Sequence, residues 1–567
     1  MPALNAPRAI STQQRPLTLG LVLLLCGSLA WAAPSTTGPA TSSDSARTSA
    51  ATPGTASPAA ATTSPRNASS NLTPGSAATL PPAVASALRA AAVPPEALAL
   101  WIAPVRSGAA PWLAHQHTEA FNPASTLKLV TSLAALELLG PGHLWRTEVY
   151  SSGELRAGVL HGNLYLRGGG DPALVTEKLW LLLHRVQALG IERIAGDIVL
   201  DRSAFAEPEI DPAAFNDEPL RAYNAGPDAL LVNFRAQVLR FSPDVAAGVA
   251  RISAEPRLAG VQVPATVPLT GAGLNNPGSQ ARPGAHASPA SPPALGTPAA
   301  QANPAAASAA QGTCGDWRAA LRADFSHPLQ PRFAGHFPAA CGVRHWPLAH
   351  PEPRRMAERA VQAQWLASGG ALDGRVREGS VPAGASERLV FESPPMADVV
   401  RDANKFSNNV MAQHLLLALS QGDGPATFER SRQRLQQWWL QRFGPDLPLP
   451  QVGNGSGLSR DGRASALALG RLLQHAYASH AMPDLMASLP ASGLDGTLRR
   501  SRMGAGLAHL KTGSLRDVQA LAGYVHRPDG QRLVLVAMVN HTHAHAARPA
   551  LDALVQWAAS AQGPAQR

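Results

Sequence analysis

The chain has 567 residues, 45% of them hydrophobic, which is long enough for several domains with packed cores. Forty-eight basic residues against 38 acidic ones give a formal net charge of +10, a balance that suits an anionic partner. No run of five basic residues occurs, and only five Tyr and twelve Phe could stack on bases, so no nucleic-acid partner is expected. In chain order, Arg8 and Arg15 precede an apolar run, LTLGLVLLLCGSLAWA (17–32), with small residues at Ala30 and Ala32. That is the pattern of a cleaved export signal over 1–32. The run is short for a membrane anchor, which needs about 20 residues, so membrane association is at most peripheral. Residues 33–81 are almost entirely Ala, Pro, Ser, Thr and Gly and predict a disordered linker.

Ordered sequence begins near Pro82. ALALWIAPV (97–105) and APWLAHQ (110–116) read as strands joined by a turn at Ser107-Gly108. STLKLVTSLAALELLG (125–140) has helical periodicity, with Leu129, Leu133, Leu136 and Leu139 as its apolar stripe and Gly140-Pro141 as its stop. Residues 151–384 look β-rich and irregular. They include GGGD (168–171), read as a turn because no P-loop lysine follows, and a low-complexity tract, 264–312, expected to be disordered. Residues 392–422 predict two helices around a polar break at 404–409, with Ser393 as a cap and Pro394 in the first turn. AHLKTGSL (508–515), ALAGYVHRP (520–528) and RLVLVAMVN (532–540) predict three strands, the last two a hairpin through Asp529-Gly530. Residues 548–563 read as a short docked helix. His541, His543 and His545 alternate as ligands on a strand could, but no Asp, Glu or Cys stands beside them, and no metal is expected. Beyond the signal two cysteines remain, Cys314 and Cys341. In an exported chain such a pair is expected to form a disulfide.

Only four lysines occur: Lys128, Lys178, Lys405 and Lys511. The chain otherwise uses arginine, so each lysine calls for a reason. Lys128 lies three residues after Ser125 at a helix start, where i and i+3 share a face. A serine hydroxyl is a poor nucleophile until a base takes its proton, and lysine can be that base because it can be neutral, whereas arginine cannot. Lys405 stands two residues before SNN (407–409), and Lys511 opens KTGS (511–514). S-x-x-K alone is common. S-x-x-K, S-x-N and K-T-G in that order, at a helix start, an inter-helix loop and a strand, form a specific signature. Lys178 lies outside it and reads as a surface residue.

On these motifs the chain resembles the active-site-serine penicillin-binding proteins and serine β-lactamases. The long separation of Ser125 from Ser407 narrows the resemblance to the type-4 penicillin-binding proteins, D-alanyl-D-alanine carboxypeptidase/endopeptidases. GGGDPAL (168–174), GSGLSR (455–460) and LPASGLDGTLRR (489–500) are similar to that family's text as well. Two departures stand out: Asn454 where the family would have Asp, and the low-complexity insert.

The resemblance implies an α/β fold, a serine β-lactamase/transpeptidase-like domain with an antiparallel sheet flanked by helices. That domain would span 82–150 and 385–567. Two mostly β domains would be inserted between the first and second motifs, over 151–384. It also implies a periplasmic hydrolase without cofactor, acting on peptidoglycan peptide stems and acylated by β-lactams. Ser125 would be the nucleophile and Lys128 its base. Ser407 would relay a proton to the leaving amine, and Asn409 would hold the acyl-side amide and fix Lys128. Lys511, Thr512, Gly513 and Ser514 would bind the terminal carboxylate, with the N–H groups of Ser125 and Ser514 as oxyanion hole. A β-lactamase or esterase on the same fold, and a catalytically silent wall-binding protein, are the rival readings. The carboxylate-binding KTGS and the intact motifs weigh against them.

Overall fold

The computed structural model describes residues 79–206, 210–271 and 313–560. The expected signal (1–32), nearly all of the expected linker and most of the 264–312 tract lie outside these residues.

The chain's two ends build one antiparallel sheet. Its strands run in the order Ala508–Leu515, Val518–His526, Arg532–Asn540, Leu98–Pro104 and Leu113–His115. Side chains of a strand alternate between faces, and here both faces are covered, so both alternate sets are apolar. Leu98, Leu100 and Ile102 join Leu533, Leu535 and Val539 in one core, against the helices Pro82–Ala90 and Arg548–Ala559. Ala99, Trp101 and Ala103 join Val534, Val536 and Met538 in the other, against Lys128–Leu139 and Ala466–Ala478. The same core takes in Met396–Lys405, Asn409–Ala418 and Phe428–Phe443. Packing of the first core begins at Leu80, inside the expected linker.

The two helices expected over 392–422 are present, but Ser393 does not cap the first. Pro395 stands at that N-cap position. The Ser393 hydroxyl instead accepts from the Trp145 N–H (3.0 Å) and donates to the Pro394 carbonyl (2.7 Å), tying the helix entry to the 145 segment. Two prolines in succession leave no N–H for a cap to satisfy at 394 or 395.

Between the halves lie a four-stranded sheet, a two-stranded sheet and two further five-stranded ones. One of the latter runs Val376–Glu378, Ile198–Asp201, Leu164–Gly168, Arg146–Ser151, Ser386–Glu392, partly parallel, with Thr176–Ala188 and Pro353–Ala367 packed on it. Strand 146–151 pairs antiparallel with both 164–168 and 386–392, and 386–392 and all but the last residue of 146–151 fall on the catalytic side of the boundaries expected at 150 and 385. Thr147, Val149 and Ser151 alternate as buried positions, which commits that strand to this sheet. The other sheet contains Ala236–Asp244, Val249–Glu255, Thr266–Thr270, Phe337–Pro338 and Arg344–Ala349. Phe241, Trp317, Phe333 and Phe337 meet in its core, and Cys314 is bonded to Cys341 beside them (S–S 2.01 Å). The strand Thr266–Thr270 corrects the expectation that all of 264–312 is disordered. Val267 and Leu269 are buried, and the alternating TVPLT pattern suits a half-buried strand.

Candidate functional site

The nucleophile turn is built by Asn122. Its Oδ1 accepts from the Ala124 N–H (2.9 Å), and its Nδ2 donates to the Ser459 and Arg460 carbonyls (2.9 and 3.2 Å). The backbone N–H of Asn122 donates to Asn540 Oδ1 (2.6 Å), and Asn540 Nδ2 donates back to the Asn122 carbonyl (3.0 Å). Ala124, at φ 46°, then turns the chain into a short 3-10 segment, Ala124–Leu127, that leads into Lys128–Leu139. Ser125 therefore opens the turn, half-exposed, with Lys128 below it.

Lys128 is fully buried. Its Nζ lies 3.1 Å from Ser125 Oγ, 2.6 Å from Asn409 Oδ1 and 2.6 Å from the Ser456 carbonyl. Burial, and secondarily the charge of Lys511, hold its pKa well below the ordinary lysine value. Lys511 is equally buried. It donates to Ser407 Oγ (2.8 Å) and to the Thr512 carbonyl (2.8 Å), and burial pulls its pKa down to about 7. Neither lysine has a carboxylate partner among the described residues.

Ser407 sits in the break between Met396–Lys405 and Asn409–Ala418 with φ 56°, a left-handed conformation that costs a non-glycine residue energy. Asn408 caps the second helix through the Met411 N–H, which leaves the Ser407 and Asn409 side chains free to face the lysines. Asn409 Nδ2 donates to the Tyr223 carbonyl (2.9 Å), so a loop of the inserted region reaches this group. Thr512 contacts Thr497 (Oγ1–Oγ1 2.9 Å), and the exposed Ser514 accepts from Gln519 Nε2 (2.8 Å). Gly513 and Gly457 are needed for close approach. A Cβ on Gly513 would stand 2.6 Å from the Pro123 carbonyl oxygen, and one on Gly457, at φ 75°, would stand 2.1 Å from that of Ala124. Asn454, the residue where an Asp was expected, accepts from both the N–H and the hydroxyl of Ser456 (3.2 and 2.8 Å). That holds the turn whose carbonyl meets Lys128.

The structure thus brings Ser125, Lys128 and Asn409 into one hydrogen-bonded group and Ser407 and Lys511 into a second beside it, the two lysines close enough to repel, with Thr512, Gly513 and Ser514 along the adjoining strand. Lys405 plays a different part. It donates to Asp495 (2.5 Å) and to the Leu489 carbonyl (2.8 Å), fastening the 489–495 segment beside the helix break. Lys178, expected at the surface, is half-buried on the helix Thr176–Ala188, away from the cluster. His545 contacts Gln519, His543 donates its N–H to His541, and no metal-ligand cluster exists among the described residues. Sequence reasoning missed the Ser456 and Tyr223 carbonyls and the Asn122–Asn540 pair. Main-chain acceptors carry no side-chain signature, although the glycines of GSGLSR marked the turn.

A second buried charged cluster lies at the seam between the inserted sheet and the catalytic helices. Asp228 accepts from Arg235 (2.9 Å) and pairs with Arg202 (3.0 Å), all three nearly enclosed. The Asp228 N–H donates to His414 Nε2 (3.3 Å), and His414 Nδ1 contacts the Gly170 carbonyl (2.7 Å). That pattern requires the neutral ring with its proton on Nδ1. Burial agrees, pulling the His414 pKa to about 4.

A family model, the D-Ala-D-Ala carboxypeptidase 3 (S13) family, matches residues 80–561. The chain is 30% identical over 438 residues to a D-alanyl-D-alanine carboxypeptidase of an Actinomadura species, covering 74% of this chain and 73% of that protein. It is 24% identical over 428 residues to the D-alanyl-D-alanine carboxypeptidase DacB of Haemophilus influenzae, covering 74% and 80%. Among solved structures, penicillin-binding protein 4 of H. influenzae superposes with a TM-score of 0.61 at 20% identity, covering 83% of this chain and 99% of that one. The same protein complexed with a β-lactam gives 0.57. The structural likeness establishes the fold, and the family match spans nearly every described residue: the chain belongs to the D-Ala-D-Ala carboxypeptidase 3 (S13) family.

Proposed function

We propose that the chain is a periplasmic serine D-Ala-D-Ala carboxypeptidase and peptidoglycan DD-endopeptidase that works through an acyl-enzyme on Ser125 and is acylated by penicillin. The observation that carries this reading is the environment of Lys128. Its two shortest contacts, Asn409 Oδ1 and the Ser456 carbonyl, can only accept. A neutral amine has two N–H bonds and one lone pair. Spending both N–H bonds there leaves the lone pair for the Ser125 hydroxyl, 3.1 Å away. An amine so deeply buried, beside a second lysine and without a carboxylate, favours the neutral form that a general base needs.

In the proposed cycle the Ser125 oxygen bonds to the carbonyl carbon of the penultimate D-Ala as its proton passes to Lys128. The oxyanion faces the N–H groups of Ser125 and Ser514. The C–N bond then breaks, and Ser407, held by Lys511, relays to the leaving amine the proton that Lys128 took, so that both return to their starting forms. Asn409 fixes Lys128 through Oδ1, and its Nδ2 retains a second hydrogen for the acyl-side amide. Lys511, Thr512, Gly513 and Ser514 receive the terminal carboxylate. Water releases the acyl group, returning Ser125 to its hydroxyl form. The β-lactam complex of the H. influenzae relative supports penicillin as a covalent probe of the same cleft. Export through the 1–32 leader belongs to the proposal. No helix among the described residues is long and apolar enough to cross a membrane.

Benzylpenicillin is the direct test. Intact mass spectrometry should find one adduct, peptide mapping should place it on Ser125, and Ser125→Ala should carry none. An adduct on Ser125→Ala under the same conditions would reject the assignment.

A further inference from the structure

An open groove of about 640 Å³ lies between the 218–221 loop and the short helix Trp317–Leu321, with Arg318, Arg322, Phe325 and Trp346 on its wall. It adjoins the catalytic cluster. Arg221 bridges to Leu348, and two residues further on the Tyr223 carbonyl receives Asn409.

The charges in this groove are not equally committed. Arg221 is bound to Glu218 through two N–H groups (3.0 and 2.8 Å), and Glu218 is further engaged by Tyr223 and Asn216. The Asp316 carboxylate accepts from the Arg318 and Ala319 N–H groups as a helix cap. The Arg318 and Arg322 guanidiniums pair with no carboxylate among the described residues. Arg318 lies against two rings, 5.1 Å from that of Trp317 and 5.6 Å from that of Trp346. Aromatic contact restrains a guanidinium while leaving its N–H edge open. Some arginines elsewhere in the inserted region are committed: Arg193 pairs with Asp373, Arg251 with Asp244 and Arg377 with Asp197. Two uncommitted guanidiniums beside an aromatic wall fit a carboxylate carried on a body with apolar surface.

We propose that this groove is a subsite for a free carboxylate on a second peptide branch of the wall polymer, away from the bond being cut. The inference rests on the function proposed above, and its test is a binding measurement that does not depend on turnover. The parent is full-length Ser125→Ala, and the probe is a cross-linked muropeptide dimer studied by calorimetry. Adding Arg318→Gln and Arg322→Gln should weaken binding about five- to tenfold, the scale of losing exposed charge-assisted hydrogen bonds. A dimer with amidated carboxylates should bind the parent that much more weakly, and should not respond to the arginine changes. Penicillin acylation of a chain that keeps Ser125 should be unaffected by either arginine change. Arg322→Gln alone, which removes no ring contact, should give part of the loss and serves if the double change disturbs folding. Equal affinity of parent and arginine variants for the unmodified dimer would overturn the subsite. Failure of the enzymatic reading would show separately, as absence of a penicillin adduct on the unmodified chain.

Discussion

The two buried charged clusters solve the same problem in opposite ways. At the seam, Asp228 meets Arg202 and Arg235, so each buried charge has its counter-charge. In the cleft, Lys128 and Lys511 are as deeply buried, next to each other, with only neutral acceptors around them. Burial without a counter-charge favours loss of the proton, while burial with one makes charge permanent. The seam is therefore built to hold and the cleft to exchange protons. The cluster with the worse electrostatics is the one to which the proposed function assigns the chemistry.

The sharpest way to break this comparison is to make the cleft's charge permanent. Lys128→Arg keeps the charge and removes the lone pair, so penicillin acylation should fall by at least the roughly 10²–10⁴-fold that a general base contributes. Lys511→Arg should do less harm, because a guanidinium also binds a carboxylate. Lys178→Arg, outside the cluster, should acylate as the unmodified chain does. Stopped-flow rates on the three folded variants give the order, and near-normal acylation by Lys128→Arg would mean that the proton goes elsewhere.

At the seam the corresponding break is Asp228→Asn, which removes the carboxylate that Arg202 and Arg235 share while Glu378 still holds Arg202. Breaking a buried pair from one side costs about 3–5 kcal/mol, so urea unfolding should show a large loss of stability. Penicillin acylation of the protein that remains folded should be little changed. A stability loss within error of zero would show that the seam is solvated and the contrast between the clusters false.

The smallest effect is in the pH profile. Carboxylate substrates need Lys128 neutral and Lys511 charged. Lys511, at about 7 in the free protein, loses its charge as pH rises through that value, so kcat/KM should decline on that side. A bound carboxylate favours the ammonium, so the alkaline limb of kcat should lie higher than that of kcat/KM. The acid limb belongs to protonation of Lys128. Because the two lysines interact, the limbs are properties of the pair. Lys511→Arg should erase the alkaline limb, since arginine keeps its proton. An unchanged limb in that variant would assign it to another group.

Much of the cleft was legible because its chemistry restricts residue type. Ser125, Lys128, Ser407, Asn409 and Lys511 announce themselves in a chain with four lysines, and strands such as 532–540 alternate between two apolar faces that flank one sheet. Helix Phe428–Phe443 was not legible. Its sequence, FERSRQRLQQWWLQRF, is mostly polar, and only Phe428, Ser431, Leu435, Trp438 and Trp439 are buried. The helices Thr176–Ala188 and Pro353–Ala367 are long enough to show their period, but the short strands and turns around them made the whole region read as β-rich. Strand 266–270 was hidden by the low-complexity residues around it. Ser393 misled because its hydroxyl's partner, the Trp145 N–H, lies far away in the chain.

The reciprocal bond between Asn122 and Asn540 joins residues 418 positions apart. It has a consequence for when the protein becomes active. Contacts between distant parts of a chain form late, because the intervening segment must first be closed into a loop. During synthesis the nucleophile turn lacks this anchor until residue 540 has been made, and strand 98–104 lacks its neighbour 532–540 until the same moment. A chain interrupted anywhere before its last strand therefore carries Ser125 and Lys128 without the frame that aims them. On the proposed assignment of Ser125 and Lys128, hydrolytic competence arrives only once residue 540 is in place, so partial chains would be inert.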